Sequence, residues 1–144
     1  MASMKTMDKD EVLRFLRVHA YTAHLATVRE DGRPHVTPIW IAVDGEDILF
    51  NTAADSVKGK NIRRTGYAAI SVDDNVPPFT SALLEGPVEI IEDLDEIRRW
   101  ATMIGGRYMG EDRADEFGAR NGVPGEMLCR MRPVRTTGII AIAE

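Results

Sequence analysis

Residues 79–91, FTSALLEGPVEII, read as one long strand with Gly86-Pro87 set into its middle. Proline has no N–H to give to a sheet ladder and glycine brings no side chain to pack, so regular pairing falters at that point. A strand that bends where its pairing falters is what the corner of a β-barrel requires. The segment therefore predicts a barrel.

Upstream, AHLATVRE (23–30), PHVTPIWIAV (34–43) and DILFNT (47–52) are three further strand candidates, separated by Asp31-Gly32 and Asp44-Gly45. Each Asp-Gly pair suits a tight hairpin, because glycine accepts positive φ. Three antiparallel strands in a meander are expected, with a bulge or a sheet edge at Pro38. YAAISVD (67–73) returns as strand, and EMLCRMRPVRTTGIIAIA (126–143) supplies two more around Pro133.

Four segments have the signals of short helices. In DKDEVLRFLRVH (8–19), Asp8 is placed as an N-cap with Glu11 three residues on, and an apolar stripe follows. DSVKGKNIRRTG (55–66) is capped at its start by Asp55 or Ser56 and ended by Gly66. Asp93 and Glu96 repeat the capping spacing ahead of Leu94, Ile97, Trp100, Ala101, Ile104 and Tyr108, which follow the helical period. EDRADEFGARNG (111–122) is a further helix ended by Gly122. No repeat or linker intervenes, so residues 1–144 are expected to form one α+β domain of six or seven mostly antiparallel strands and three or four short helices.

Composition is ordinary for a globular chain, with 44% hydrophobic and 28% charged residues. No apolar run approaches the ~18–20 residues of a membrane span, and the first residues, MASMKTMDKDEV, lack a signal-peptide core. A single cysteine, Cys129, forms no internal disulfide and no zinc site. These features lead to the expectation of a cytoplasmic protein without a membrane partner. The net charge of −5 argues against general nucleic-acid binding. Four cations, Lys58, Lys60, Arg63 and Arg64, nevertheless lie between Ser56 and Gly66 without an acid, which points to a small anionic ligand.

ATP, Rossmann, zincin and α/β-hydrolase motifs are absent from the sequence, and His19, His24 and His35 are scattered, so no metal site is expected. The informative constellation runs from Asn51 to Arg64, where a strand ends in Asn51-Thr52 and a helix opens with Ser56, Val57 and Lys58. Unpaired N–H groups at a helix start carry partial positive charge, Ser56 has a hydroxyl to donate, and Lys58 adds a full charge. One phosphate would satisfy all three. The same charges also suit a solvated helix face. Thr37, Pro38, Ile39 and Trp40 offer an irregular strand edge and an aromatic side chain to a planar ring, although a tryptophan there more often serves as core or dimer interface.

In their order along the chain, LATVREDGRPHVTPIWIAVDGEDILFNT, SVKGKNIRR, YAAISVDD, LEGPVEI, GGRYMG and VPGEMLCRMRP resemble the pyridoxamine 5′-phosphate oxidase-like split β-barrel family. The resemblance is nearer to its deazaflavin branch, which uses coenzyme F420. It implies a split barrel and a homodimer with two coenzyme sites at the interface, for which MLCRM (127–131) and GIIAIA (138–143) offer apolar surface. By the same resemblance Asn51, Thr52, Ser56 and Lys58 hold the coenzyme phosphate, Lys60 and Asn61 follow in the same motif, and Thr37, Pro38, Ile39 and Trp40 face the ring. Thr37 stands where true pyridoxamine phosphate oxidases have a phosphate-binding arginine, and no histidine follows His35, so that oxidation is not expected.

The expected function is a deazaflavin-dependent oxidoreductase that passes a hydride between the coenzyme and a small conjugated organic acceptor. An FMN-binding oxidase or electron carrier, or a non-catalytic store of the coenzyme, are the alternatives. No catalytic residue is singled out by the sequence: Tyr108, His35 or solvent are all sources for the proton.

Overall fold

In a computed structural model, residues 5–143 are described. The strands are β1 (Lys5–Met7), β2 (Ala23–Val28), β3 (Pro34–Ile39), β4 (Ala42–Asp44), β5 (Asp47–Ala53), β6 (Tyr67–Asp73), β7 (Ser81–Ile91), β8 (Glu126–Met131) and β9 (Arg135–Ile140). The helices are α1 (Lys9–Val18), α2 (Val57–Thr65), α3 (Leu94–Met109) and α4 (Ala114–Asn121), with a 3-10 turn at Glu111–Arg113. The fold is α+β, a curled antiparallel half-barrel. Seven strands run in the order β3-β2-β6-β7-β8-β5-β4, and β9 lies on β7 with β1 outside it. The count exceeds the expected six or seven because β1 is an added three-residue strand and PHVTPIWIAV is divided into β3 and β4.

The long strand β7 joins the two halves of the barrel. Its first half pairs with β6 and β9, and its second half, from Val88 on, pairs with β8. The change of partner falls at Gly86-Pro87, where the sequence predicts that pairing falters and the strand bends, but β7 itself runs through unbroken and stays paired with β6 there. The irregularity lies in the neighbour: Val88 faces Met131 and Glu85 faces Arg135, so three steps along β7 match four along the β8–β9 run. Arg132 donates to the Pro87 carbonyl at 3.0 Å and Val134 to that of Glu85 at 2.8 Å, and Pro133 between them has no N–H to leave unpaired. The strands approach so closely that a Cβ on Gly86 would stand 2.2 Å from the Arg132 carbonyl oxygen.

Leu25, Ile48, Phe50, Ile70, Leu84, Met127, Cys129 and Met131 fill the barrel, and Val12, Leu13 and Leu16 of α1 join the same cluster. A second cluster packs Ile97, Trp100 and Ile104 of α3 on Ala42, Leu49 and Leu128. Both faces of β5 and β8 are therefore covered, which is why they read as unbroken apolar runs. MLCRM is consumed by this core, with Met127, Leu128, Cys129 and Met131 all buried, and so does not offer the interface surface expected of it. Burial comes first for residues whose two neighbouring layers belong to their own protomer.

The expected three-strand meander is corrected by the structure. β2 with β3 and β4 with β5 form hairpins, but β3 has no partner other than β2, and β5 lies between β4 and β8. Pro38 thus sits on an edge strand, where its missing donor costs nothing. The chain leaves one sheet and enters the other at Trp40-Ile41, and this step is the split. Tyr108 of α3 closes it: its hydroxyl accepts from the Ile41 N–H at 3.1 Å and donates to the Tyr21 carbonyl at 2.8 Å. Its ring stacks on Trp40 at 5.2 Å between centroids.

Helix signals translate directly. Asp8 and Glu11 form the reciprocal capping box, Ser56 rather than Asp55 caps α2, and Gly66 ends it with φ 64°. Asp93 caps α3 and Gly122 follows α4. No helix among the described residues is long and apolar enough to cross a membrane.

Replacing Tyr108 by Phe keeps the ring and removes both hydrogen bonds at the split. The expected cost is about 1–3 kcal/mol for partly buried groups left without partners. Urea unfolding should show a lower midpoint at unchanged slope.

Candidate functional site

The end of β5 and the start of α2 are built from one local network. Ser56 accepts from the Gly59 N–H at 3.0 Å, donates its own proton to the Ala53 carbonyl at 2.7 Å, and lies 3.2 Å from the Thr52 hydroxyl. Its hydroxyl proton is therefore spent within the protein and not reserved for a phosphate. The N–H groups of Val57 and Lys58, between the cap and Gly59, have no acceptor among the described residues. Gly59 allows the helix to start this close to the strand, since a Cβ there would lie 2.3 Å from the Ala53 oxygen. That glycine otherwise weakens a helix by ~1 kcal/mol, a signal in the sequence that the helix is pressed against something.

Beside this network opens a cleft of about 280 Å³. Pro38, Ile39 and Trp40 form one part of its wall and Asn51, Thr52, Ser56 and Lys58 another. The structure thus brings together seven of the ten residues singled out in the sequence. Trp40 is held with Tyr108 stacked on it and the Phe117 ring edge-on at 5.6 Å. The amide nitrogen of Asn51 is buried without a partner among the described residues.

Three expected residues stand off the wall. Thr37 alternates inward with Ile39 across from Leu25, and its hydroxyl is buried and unpartnered. Asn61 is buried and donates to Thr27 at 3.0 Å, which ties α2 to β2, while its oxygen takes Arg64 at 3.3 Å. Lys60 is exposed on α2, facing solvent. Neither proton candidate lines the cleft: Tyr108 has given its only proton to Tyr21, and the Nδ1 of His35 is buried away from any partner.

The cleft also has walls that the sequence reading did not assign, namely Ala101 and Ile104 of α3, Asn121 of α4, Ala53, and Glu126 of β8. Glu126 reaches the site because β8 pairs with β5, with Ala53 opposite Glu126 and Ala54 bonded to the Gly125 carbonyl at 2.9 Å. Burial pushes its carboxyl above the ordinary glutamate range; Lys58 pulls it back and Asp55 pushes it further. Lys58 itself makes no ion pair among the described residues. Cys129 is no nucleophile, since burial pushes its thiol up to about 12.

The cleft thus joins a half-covered aromatic ring, a cation, free helix-start N–H groups and an unpaired amide. A phosphate fits the N–H groups and Lys58, and a planar ring fits the Pro38 to Trp40 wall.

A family model described as pyridoxamine 5′-phosphate oxidase matches residues 8–137. No curated protein sequence matches the chain. Among solved structures, a conserved hypothetical protein from Mycobacterium tuberculosis is 26% identical with a TM-score of 0.80, over 96% of this chain and 88% of that one. An F420 reductase is 30% identical with a TM-score of 0.66, over 82% of this chain and 90% of its own. A FAD-binding protein from Mesorhizobium loti, at 16% identity and a TM-score of 0.71 over 95% and 96% of the two chains, shares the fold.

Because the Ser56 hydroxyl closes the helix start rather than pointing at a ligand, Ser56→Ala should lower stability by about 1 kcal/mol, the usual cost of losing an N-cap. Thermal unfolding without ligand is the measurement. An unchanged midpoint would mean that the cap geometry does not hold in solution.

Proposed function

The chain belongs to the pyridoxamine 5′-phosphate oxidase family, and on that premise we propose that it is a coenzyme F420-dependent oxidoreductase acting on a small conjugated organic acceptor. The observation that carries this reading is the cleft that runs from the Trp40 wall to the unpaired Val57 and Lys58 N–H groups, beside an unpaired Lys58 charge. When bound, the deazaflavin would supply hydride transfer. The protein's share is position and electrostatics. Val57, Lys58 and Asn51 hold the phosphate end, with Thr52 and Ser56 fixing the loop beneath it. Pro38, Ile39 and Trp40 orient the ring, and Thr37 and Asn61 brace β3 and α2 from inside. With Tyr108 and His35 both off the wall, the proton comes from water.

The nearness of the F420 reductase in sequence, at 30% identity, favours the deazaflavin over FMN. The cations of α2 contribute less to this preference than their number suggests. Arg63 is paired with Glu92, and Arg64 is turned onto the Val28 carbonyl and Asn61, which leaves Lys60 to meet the acidic tail of the coenzyme.

The site is completed by a second copy of the chain. Ligand pockets run to roughly 300–1,000 Å³, so a cleft of about 280 Å³ encloses only part of a coenzyme. The outer sheet face next to it is of mixed polarity with small side chains: Val36, Ala26, Ala69 and Glu85 are neighbours by register, as are Pro38, His24, Ser71 and Leu83. Val36 is 64% exposed and Leu83 49%, and a partner would cover both.

Side-by-side titration of the deazaflavin and FMN should show the former at least tenfold tighter, about 1.4 kcal/mol; equal or tighter FMN binding would make the protein an FMN flavoprotein. Lys58→Ala should weaken coenzyme binding by about 1.5–3 kcal/mol, the range for a charge-assisted hydrogen bond. Sedimentation at micromolar concentration should find a dimer.

A further inference from the structure

Glu126 is out of place in a site for an anion. It lines the same cleft as Lys58 and also lines the adjoining cleft under Glu92, Leu94 and Ile97. The charges acting around it are Lys58 and Asp55 from the start of α2 and the Glu92–Arg63 pair from the end of β7. With that pair self-neutralised, one cation and two carboxylates remain at the phosphate end. Lys58 and the α2 N–H groups favour a negative phosphate, while Glu126 and Asp55 act against each of its charges, so the two carboxylates cost a dianion about twice what they cost a monoanion.

We propose that Glu126 selects the phosphate by its charge, admitting a singly charged phosphodiester and discriminating against a doubly charged terminal phosphomonoester. This rests on the coenzyme reading given above and deepens it. The phosphate of FMN is a terminal monoester, whereas that of the deazaflavin is internal and esterified twice. Selection would then come from one carboxylate at the phosphate and not from the ring, which both ligands present to the same Trp40 wall. It also accounts for a site where, among the described residues, one free cation lines the cleft, since a dianion would call for two. As pH falls, Glu126 is neutralised earlier than an ordinary glutamate and a monoester loses its second charge near pH ~6, so discrimination fades from both sides.

The experiment compares FMN with its methyl phosphodiester, which has the same ring and chain and one charge fewer, and includes the deazaflavin as a third ligand. Binding to the full chain is measured at pH 8 and pH 5 for the parent, Glu126→Gln and Glu126→Asp. Glu126→Gln should move the ratio of affinities toward FMN by about tenfold at pH 8, the effect of removing one charge from the wall of a half-buried cleft. Glu126→Asp, which keeps the charge, should shift it by less than about threefold, and at pH 5 the shift should shrink likewise. An unchanged ratio in Glu126→Gln, or equal weakening of both ligands, would overturn charge selection while leaving the coenzyme site standing. If none of the three ligands binds the parent protein, the coenzyme reading falls and the inference falls with it.

Discussion

The hydrogen bonds of the Tyr108 hydroxyl hold the barrel at the point where its ladder stops. Between Ile39 and Ala42 the chain passes from one sheet to the other, and the Ile41 N–H has no strand partner there. A partly buried donor without an acceptor costs about 1–3 kcal/mol, so an opening in a barrel needs a substitute. A side chain from α3 supplies it and reaches on to the Tyr21 carbonyl ahead of β2. One phenol thereby ties three separate segments together at the split. The same contact fixes Trp40 through ring stacking, and Trp40 is part of the cleft wall. The opening is thus held as a rigid edge instead of a frayed one.

Opposite that edge, the β5–α2 end of the cleft is rigid for a different reason. Gly59 lets α2 begin almost in contact with the last carbonyl of β5, and Ser56 turns its hydroxyl inward to stitch the junction. The two N–H groups that remain are fixed in direction by a helix anchored at two points, by Ser56 at its start and by the Asn61–Thr27 bond at its middle. Preorganised donors of this kind bind an anion without paying for reorganisation. The polar atoms in the wall therefore divide into those consumed in holding the site's shape and those left over for a ligand. Among the described residues the leftovers are few: two N–H groups, the Asn51 and Asn121 amides, Lys58 and Glu126.

Much of this was legible in the sequence wherever the cause is local. A capping box is decided by residues three apart, a helix end by one glycine, and the barrel corner by Gly86-Pro87 within a single strand. The Asn51–Lys58 constellation and the Thr37–Trp40 edge could be marked for the same reason, because a strand end, a cap and an edge proline are properties of short windows. What windows cannot show is which side of an element is already taken. Asn61 and Lys58 lie three residues apart on one helix, yet one is bonded inside the barrel and the other faces the cleft, and only the position of Thr27 on β2 separates them.

The sequence by itself determined most of the strand and helix order, the faltering of pairing at Gly86-Pro87, the start and stop of α2, and a basic segment. Each follows from backbone preferences and charge within a few residues. The tertiary structure alone decided that PHVTPIWIAV breaks at Trp40-Ile41, that MLCRM is core and not interface, and that Glu126 and Asn121 share a wall with Lys58. Those outcomes depend on pairing between β5 and β8 and on the packing of α3 and α4, which bring together segments far apart in the chain. No local pattern encodes such a meeting, because the free energy that drives it is released only when both surfaces leave water together.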